Sequence, residues 1–249
     1  MKNENKGIKM FYEINNIKIP LVSTGTSPFI GAGQFGKNAL IWRRKFLENE
    51  QEMLKILKAS YEEGARGIEV IPIGKILEAA KIMKETYDDY IITGSTYPSH
   101  NNGIKKLLEI ETKIIFVHGI ISDKRDNKLI KLIDEISSLG IIPGVATHDP
   151  IRTIIHVSNN LPDVKLFLVP FNAIGRFVGD KSKLEKIVDD LRDKVFIAMK
   201  SLAAGEIEPL KAFTYIKNHN IAALTIGMVS EEQARESTKL ALKALTTKQ

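Results

Sequence analysis

The sequence contains no cysteine and a single tryptophan, Trp42. Without thiols it can form no disulfide, thiolate metal site or thiol nucleophile, and any metal would have to rest on histidine and carboxylates. A long apolar run is missing too. No window approaches the roughly 18 uninterrupted apolar residues of a membrane span, and the opening MKNENKGIKM carries charge without the apolar stretch of a secretion signal. Nor is charge of one sign concentrated anywhere. The formal net charge is +6, but lysines are mixed with acids, as in KLEKIVDDLRDK. That is the pattern of solvated helix faces, not of a stripe that tracks phosphates. The expectation is a cytoplasmic protein with a small-molecule substrate and neither a nucleic-acid nor a membrane partner. Its richness in Lys, Glu and Ile is compatible with a thermophilic source.

What is present is alternation. The chain has 249 residues, 43% of them hydrophobic, enough to bury a full core. Short apolar or β-branched runs recur at residues 19–24, 67–72, 90–95, 113–119, 141–148, 165–172, 194–201 and 222–228. Helical patterns lie between them, such as EQEMLKILKASYEEG, KILEAAKIMKETY, NKLIKLIDEISSLG and KSKLEKIVDDLRD. Eight strands that are apolar on both faces, each followed by a helix, predict a single (β/α)8 TIM barrel, for which about 250 residues is a typical length. Before the first unit, MFYEINNIKIPL reads as a β-hairpin around Asn15 and Asn16, a plug for the barrel's bottom. One domain is expected over residues 1–249, with the hairpin at 10–20 and the barrel at 20–247.

Gly31, Gly33 and Gly36 in IGAGQFGKN have the G-x-G-x-x-G spacing of a dinucleotide-binding turn. The context is wrong for one, because STGTSPFI before them is no apolar strand and KNALIWRRKF after them has no N-cap and fits a helix only loosely. The connection from Gly25 to about Glu48 is too long for a simple βα turn. Studded with Phe29, Phe35 and Trp42, it reads either as a flap over the barrel mouth or as a rigid loop packed on its rim.

Barrels of this kind do their chemistry at the C-terminal ends of the strands. The residues there are Glu69, Ser95, His118, Thr147, His148, Asp149, Asn172 and Lys200. Buried strands seldom carry charges without cause. His118 follows the run KIIFV directly and should face the mouth, where an imidazole can transfer a proton near neutral pH, or else it caps a neighbouring strand. Asp149, before Pro150, reads as a helix N-cap. Lys200 reads as a Schiff-base nucleophile, an anion clamp, or the partner of Glu69 in a structural ion pair. His100, His156 and His219 are not expected to act.

Several segments together resemble the aldo/keto reductase superfamily, barrels with an N-terminal hairpin: GTSPFIGAG after strand 1, SYEEGARGIEV entering strand 2, IIFVHG as strand 4, and AMKSLAAGEIEPLKAF with ALTIGMVSEEQARES as strands 7 and 8. The resemblance covers most of the chain in order, through degenerate motifs. It implies hydride transfer from NAD(P)H to a small carbonyl substrate, assisted by a tetrad of Tyr, Lys, Asp and His. Of that tetrad only His118 is matched. The Asp position falls on or near Glu69, VIPIGKIL offers no Tyr, and the Lys position is replaced by the region of Gly94 and Ser95. Glu231 and Glu232, after the N-cap Ser230, oppose a phosphate at the last helix, and an NADP 2'-phosphate above all. The implied catalytic set is His118 as proton donor, Glu69 to orient it and Lys200. Ser201, Gly227 and Ser230 are expected at the cofactor, and Trp42, His148 and Asn172 at the substrate.

A different reading takes Glu69, His118 and His148 as ligands of a divalent metal that activates water or a sugar-like substrate, making a hydrolase or isomerase with Lys200 as base or clamp. A third is a barrel that binds a ligand or partner without catalysis.

Overall fold

The computed structural model describes residues 9–14, 17–96 and 103–247. Two short antiparallel strands, β1 (Phe11–Ile14) and β2 (Ile17–Pro20), form the expected hairpin; its turn at Asn15 and Asn16 lies outside the described residues, as does His100. Eight parallel strands follow: β3 (Val22–Gly25), β4 (Gly67–Val70), β5 (Ile91–Ser95), β6 (Ile114–Val117), β7 (Ile142–Ala146), β8 (Leu166–Pro170), β9 (Val195–Met199) and β10 (Ala223–Ile226). Each pairs with its neighbour in sequence and β10 pairs with β3, closing the barrel. The run expected as one strand over residues 19–24 is divided, since Ile19 and Pro20 belong to the hairpin and the barrel strand starts at Val22.

The helices are α1 (Asn38–Phe46), α2 (Glu50–Glu62), α3 (Ile76–Thr86), α4 (Gly103–Leu108), α5 (Gly119–Ser122), α6 (Asn127–Ser138), α7 (Pro150–Asn160), α8 (Lys181–Asp190), α9 (Pro209–Lys217) and α10 (Glu231–Thr246). Their starts are set locally. The Asn49 side chain accepts from Glu52 N–H at 3.3 Å to open α2, Asp180 caps α8 at 3.0 Å, and Ser230 caps α10 at 3.2 Å, where the Gln233 side chain reaches back to Val229 N–H. None of these helices is long and apolar enough to cross a membrane.

Alternation along each strand divides the core in two. Residues such as Ile68, Val70, Ile115, Val117, Phe167, Val169, Phe196 and Leu224 pack outward under the helices. Ile114, Phe116, Ala146, Leu166, Leu168, Val195, Ile197 and Ala223 fill the barrel. Ile19 belongs to that inner cluster, with Tyr12, Ile14 and Ile17 packed against it, so the hairpin plugs the bottom as expected. The opposite end, where the strands finish, stays open to side chains that are not purely apolar.

Candidate active site

Between β3 and α2 the chain makes a 3₁₀ turn at Gly33–Phe35 and then α1. The helix is a correction to the sequence reading; its N-cap residue, Lys37, makes no side-chain cap, so no starting signal was there to find. The segment is anchored by Phe29 and Phe46, both fully buried with ring centroids 4.8 Å apart. Phe35 and Trp42 meet edge to face at 4.8 Å. Gly31 explains one of the three glycines. Its φ is +65°, and a Cβ there would lie 2.4 Å from the Ala39 carbonyl oxygen, so only glycine lets α1 pack this close. With β3 ended at Gly25, no strand runs into the glycines, and the dinucleotide turn is absent.

Beneath this flap lies a cavity of about 300 Å³. Glu69, Leu168, Met199 and Thr225 line it at the barrel mouth, Lys200 and Ser201 on the β9 side, Gly227 and Met228 after β10, Phe35 and Trp42 on the flap, and Glu236 and Ser237 where it reaches α10. The flap thus covers the mouth and is also packed on the rim, so both readings of it describe the same loop.

Glu69 points into the barrel from β4 and is only 5% exposed. Burial pushes its carboxyl up to about 7, against a smaller opposing effect of the hydrogen bond that Ser95 donates to Oε1 at 2.6 Å. It makes no ion pair with Lys200, because the two side chains have other partners.

Lys200 comes to the cavity by an unusual backbone. Val195, Ile197 and Met199 share the inward face of β9 or pack against the inner cluster, so a continued strand would turn Lys200 outward. Instead its φ is +56°, followed by left-handed Ala203 (φ +49°) and Ala204 (φ +61°), and Lys200 is among the residues lining the cavity. Left-handed conformations at residues with a Cβ carry strain and tend to mark working sites. The Lys200 Nζ lies 3.4 Å from His148 Nδ1 and 5.0 Å from the centre of the Phe177 ring. Burial lowers its pKa, with the Asp123 carboxylate opposing.

His118 is the N-cap of α5, and its Nδ1 accepts from Ile120 N–H at 3.2 Å. Burial, then His148, then Lys200 bring its pKa down to about 4 against the pull of Asp123, so at neutral pH the ring is neutral with its proton on Nε2. It is not among the residues lining the cavity. Its ring lies at the start of α5 beside His148, with ring centroids 5.5 Å apart. His148 is exposed and also outside the lining, but it reaches the site through Lys200. Burial, then Lys200, lowers its pKa. The close approach of the two turns depends on Gly119, where a Cβ would sit 2.8 Å from the His148 ring.

Asn172 is buried and is not among the residues lining the cavity. Its Nδ2 donates to the Arg176 carbonyl at 2.7 Å and its Oδ1 accepts from Arg176 N–H at 3.0 Å, so the amide holds its own loop. Ser201 and Gly227 do line the cavity, whereas Ser230 caps α10 and does not. Asp149 is the N-cap residue of α7 as expected, but its side chain makes no cap and pairs with Arg125 at 3.0 Å. The organising carboxylate is Asp123, which the sequence reading missed. It accepts from the Thr147 hydroxyl, from His148 N–H at 2.8 Å, from Asp149 N–H at 3.2 Å and from the Thr153 hydroxyl at 2.9 Å. In sequence it is one of several charges in SDKRD, and nothing local distinguishes it. His156 sits on α7 against Asn160, and His219 follows α9 and pairs with Asp189 at 2.9 Å; neither is among the residues lining the cavity.

The metal reading fails on geometry. Among the described residues no group of three or more histidines and carboxylates is placed to hold a metal ion, so Glu69, His118 and His148 do not converge.

No protein-family model and no curated protein matches the sequence. Solved structures match the fold. A Pseudomonas aeruginosa protein described as an aldo-keto reductase aligns at TM-score 0.68 and 16% identity over 92% of each chain. An aldo/keto reductase from Brucella melitensis aligns at TM-score 0.64 and 12% identity over 98% of each. The 2-keto-3-deoxy-6-phosphogluconate aldolase of Zymomonas mobilis aligns at TM-score 0.54 and 15% identity, over 82% of this chain and 88% of the aldolase. The chain shares the barrel of the aldo-keto reductases, and at these identities the likeness is one of fold.

Proposed function

We propose that this barrel is a reductase of the aldo-keto type that acts on a small carbonyl compound, with a nicotinamide cofactor under the flap. The observation that carries the proposal is Glu69, a carboxyl inside the cavity that burial keeps protonatable near neutral pH. A carbonyl oxygen gaining charge needs a proton donor in the same enclosed space, and Glu69 takes the role the sequence gave to His118. Ser95 fixes one carboxyl oxygen by its hydrogen bond, leaving the other to carry the proton.

The cavity suits the nicotinamide half of such a cofactor. Its volume is at the low end for small-molecule sites, with Trp42 and Phe35 on one side and Ser201, Gly227 and Met228 on the other. Its far end suits a 2'-phosphate poorly, since Glu236 lines it and Glu231 and Glu232 occupy the first turn of α10. NADH is therefore favoured over NADPH. When bound, a reduced nicotinamide supplies a hydride to the carbonyl carbon. The chain's own part is to hold the carbonyl near Glu69, deliver the proton, and exclude water with the flap.

The test is oxidation of NADH by the purified protein over a panel of small aldehydes and ketones. Turnover should decline as pH rises through about 7, where Glu69 loses its proton, and Glu69→Gln should lower it by about a hundredfold or more. Absence of turnover with either cofactor across the panel refutes the proposal.

A further inference from the structure

The cavity is lined by one cationic residue, and among the described residues no carboxylate lies at ion-pair distance from it. Lys200 is the one lysine or arginine among its described lining residues. Among the described residues its Nζ makes no ion pair; its contacts are His148 Nδ1 and the face of Phe177, and Asp123 favours its charge only from beyond contact, with its oxygens hydrogen-bonded to Thr147, His148, Asp149 and Thr153. Half-buried ammonium groups held by strained backbone against an enclosed space call for an anion. Apart from the attraction of Asp123, the titratable groups around Lys200 supply none in contact with Nζ. His148 is neutral or positive, and Glu69 in the same cavity is a carboxyl kept protonated by burial until about pH 7.

We infer that Lys200 is the anchor for the carboxylate of a small oxo acid, whose carbonyl is thereby placed toward Glu69. A single ammonium suits a monoanion. A phosphate, bound as a dianion, would want further cations or backbone donors, and the remaining charged groups in the lining, Glu208 and Glu236, are acids. The assignment rests on the reductase reading for the fate of the carbonyl, but binding of the acid stands independently of it. Ion pairing is distinct from covalent capture, in which Nζ would add to the carbonyl and expel water to give an imine.

The experiment titrates wild type, Lys200→Met and Lys200→Arg with pyruvate, 2-oxobutyrate and 4-oxobutanoate, and with acetone, butanone and butanal as matched compounds lacking the carboxylate. Trp42 emission is the readout, with and without NADH. A parallel sample of each is treated with borohydride and weighed by intact mass. The oxo acids should bind wild type about tenfold or more tighter than their neutral matches. Lys200→Met should abolish that preference and Lys200→Arg should retain it, with no mass adduct after borohydride. Equal binding of acids and neutral compounds, or a preference that survives Lys200→Met, overturns the assignment. An adduct on wild type that Lys200→Met lacks also overturns it in favour of an imine. Oxo-acid preference without NADH binding leaves Lys200 assigned and removes the reductase. NADH binding without that preference does the reverse.

Discussion

Buried Glu69 in the cavity and half-buried His118 at the start of α5 make opposite demands on pH. Glu69 has an ordinary value of 4.5 and a folded value of about 7, so between those pH values the folded protein holds a proton that the unfolded chain has released, and stability falls as pH rises through that window. His118 has an ordinary value of 6.5 and a folded value of about 4, so the unfolded chain holds the extra proton and stability falls as pH drops through that window. The two slopes oppose each other between about 4.5 and 6.5. Glu69→Gln removes one of them. The variant should melt higher than wild type at pH 8 and show a steeper loss of Tm below pH 6, as followed by circular dichroism. Equal Tm shifts at all pH values would mean that Glu69 is not buried as an acid. NMR of the ring protons gives a second check, with His118 remaining neutral down to about pH 4. That Glu69 and Lys200 come to the mouth cavity was legible in the sequence, because charges at the ends of apolar runs stand out. The local hydrogen bonds of His118 and Asn172 were not, because a strand-end position does not say which groups of its own loop a side chain will meet. Asp123 was invisible, since its role comes from groups brought to it across 24 to 30 residues of chain.

At the level of elements, the flap is the part on which the site's enclosure depends. Gly31→Ala would place a methyl 2.4 Å from the Ala39 carbonyl at a backbone angle that disfavours it, which should cost about 1 to 3 kcal/mol. It should also move α1, changing the Trp42 emission maximum more than the far-ultraviolet dichroism; an unchanged Trp42 spectrum would place the tryptophan off the cavity. Gly119→Ala forces the His148 ring away from α5 and should weaken oxo-acid binding through Lys200 while sparing NADH. The sequence showed the flap's length and aromatic content but not its helix, because α1 begins on Lys37 without a cap and takes its stability from Phe46 packed on Phe29. The left-handed turn at Lys200, Ala203 and Ala204 was equally hidden, as only glycine announces such a turn in sequence.

For the whole molecule, the alternation of apolar runs and amphipathic stretches sufficed, because each barrel strand is buried on both faces and each helix on one. Seven of the eight runs contain their strands, the first overlaps β3, which runs on to Gly25, and the hairpin's Ile17 and Ile19 close the bottom. With one closed barrel and a plug that shares its inner core, urea unfolding followed by Trp42 and by dichroism should coincide in a single transition. Two separated transitions would show the flap or hairpin to be an independent unit. The reductase proposal is tested most directly by nicotinamide binding. Exciting Trp42, the one tryptophan, while titrating NADH and NADPH should give saturable quenching with sensitised nicotinamide emission, at micromolar NADH and weaker for NADPH. No transfer with either cofactor up to about millimolar, a binding free energy short of about 4 kcal/mol, would contradict the reductase and leave the barrel alone in common with the aldo-keto reductases.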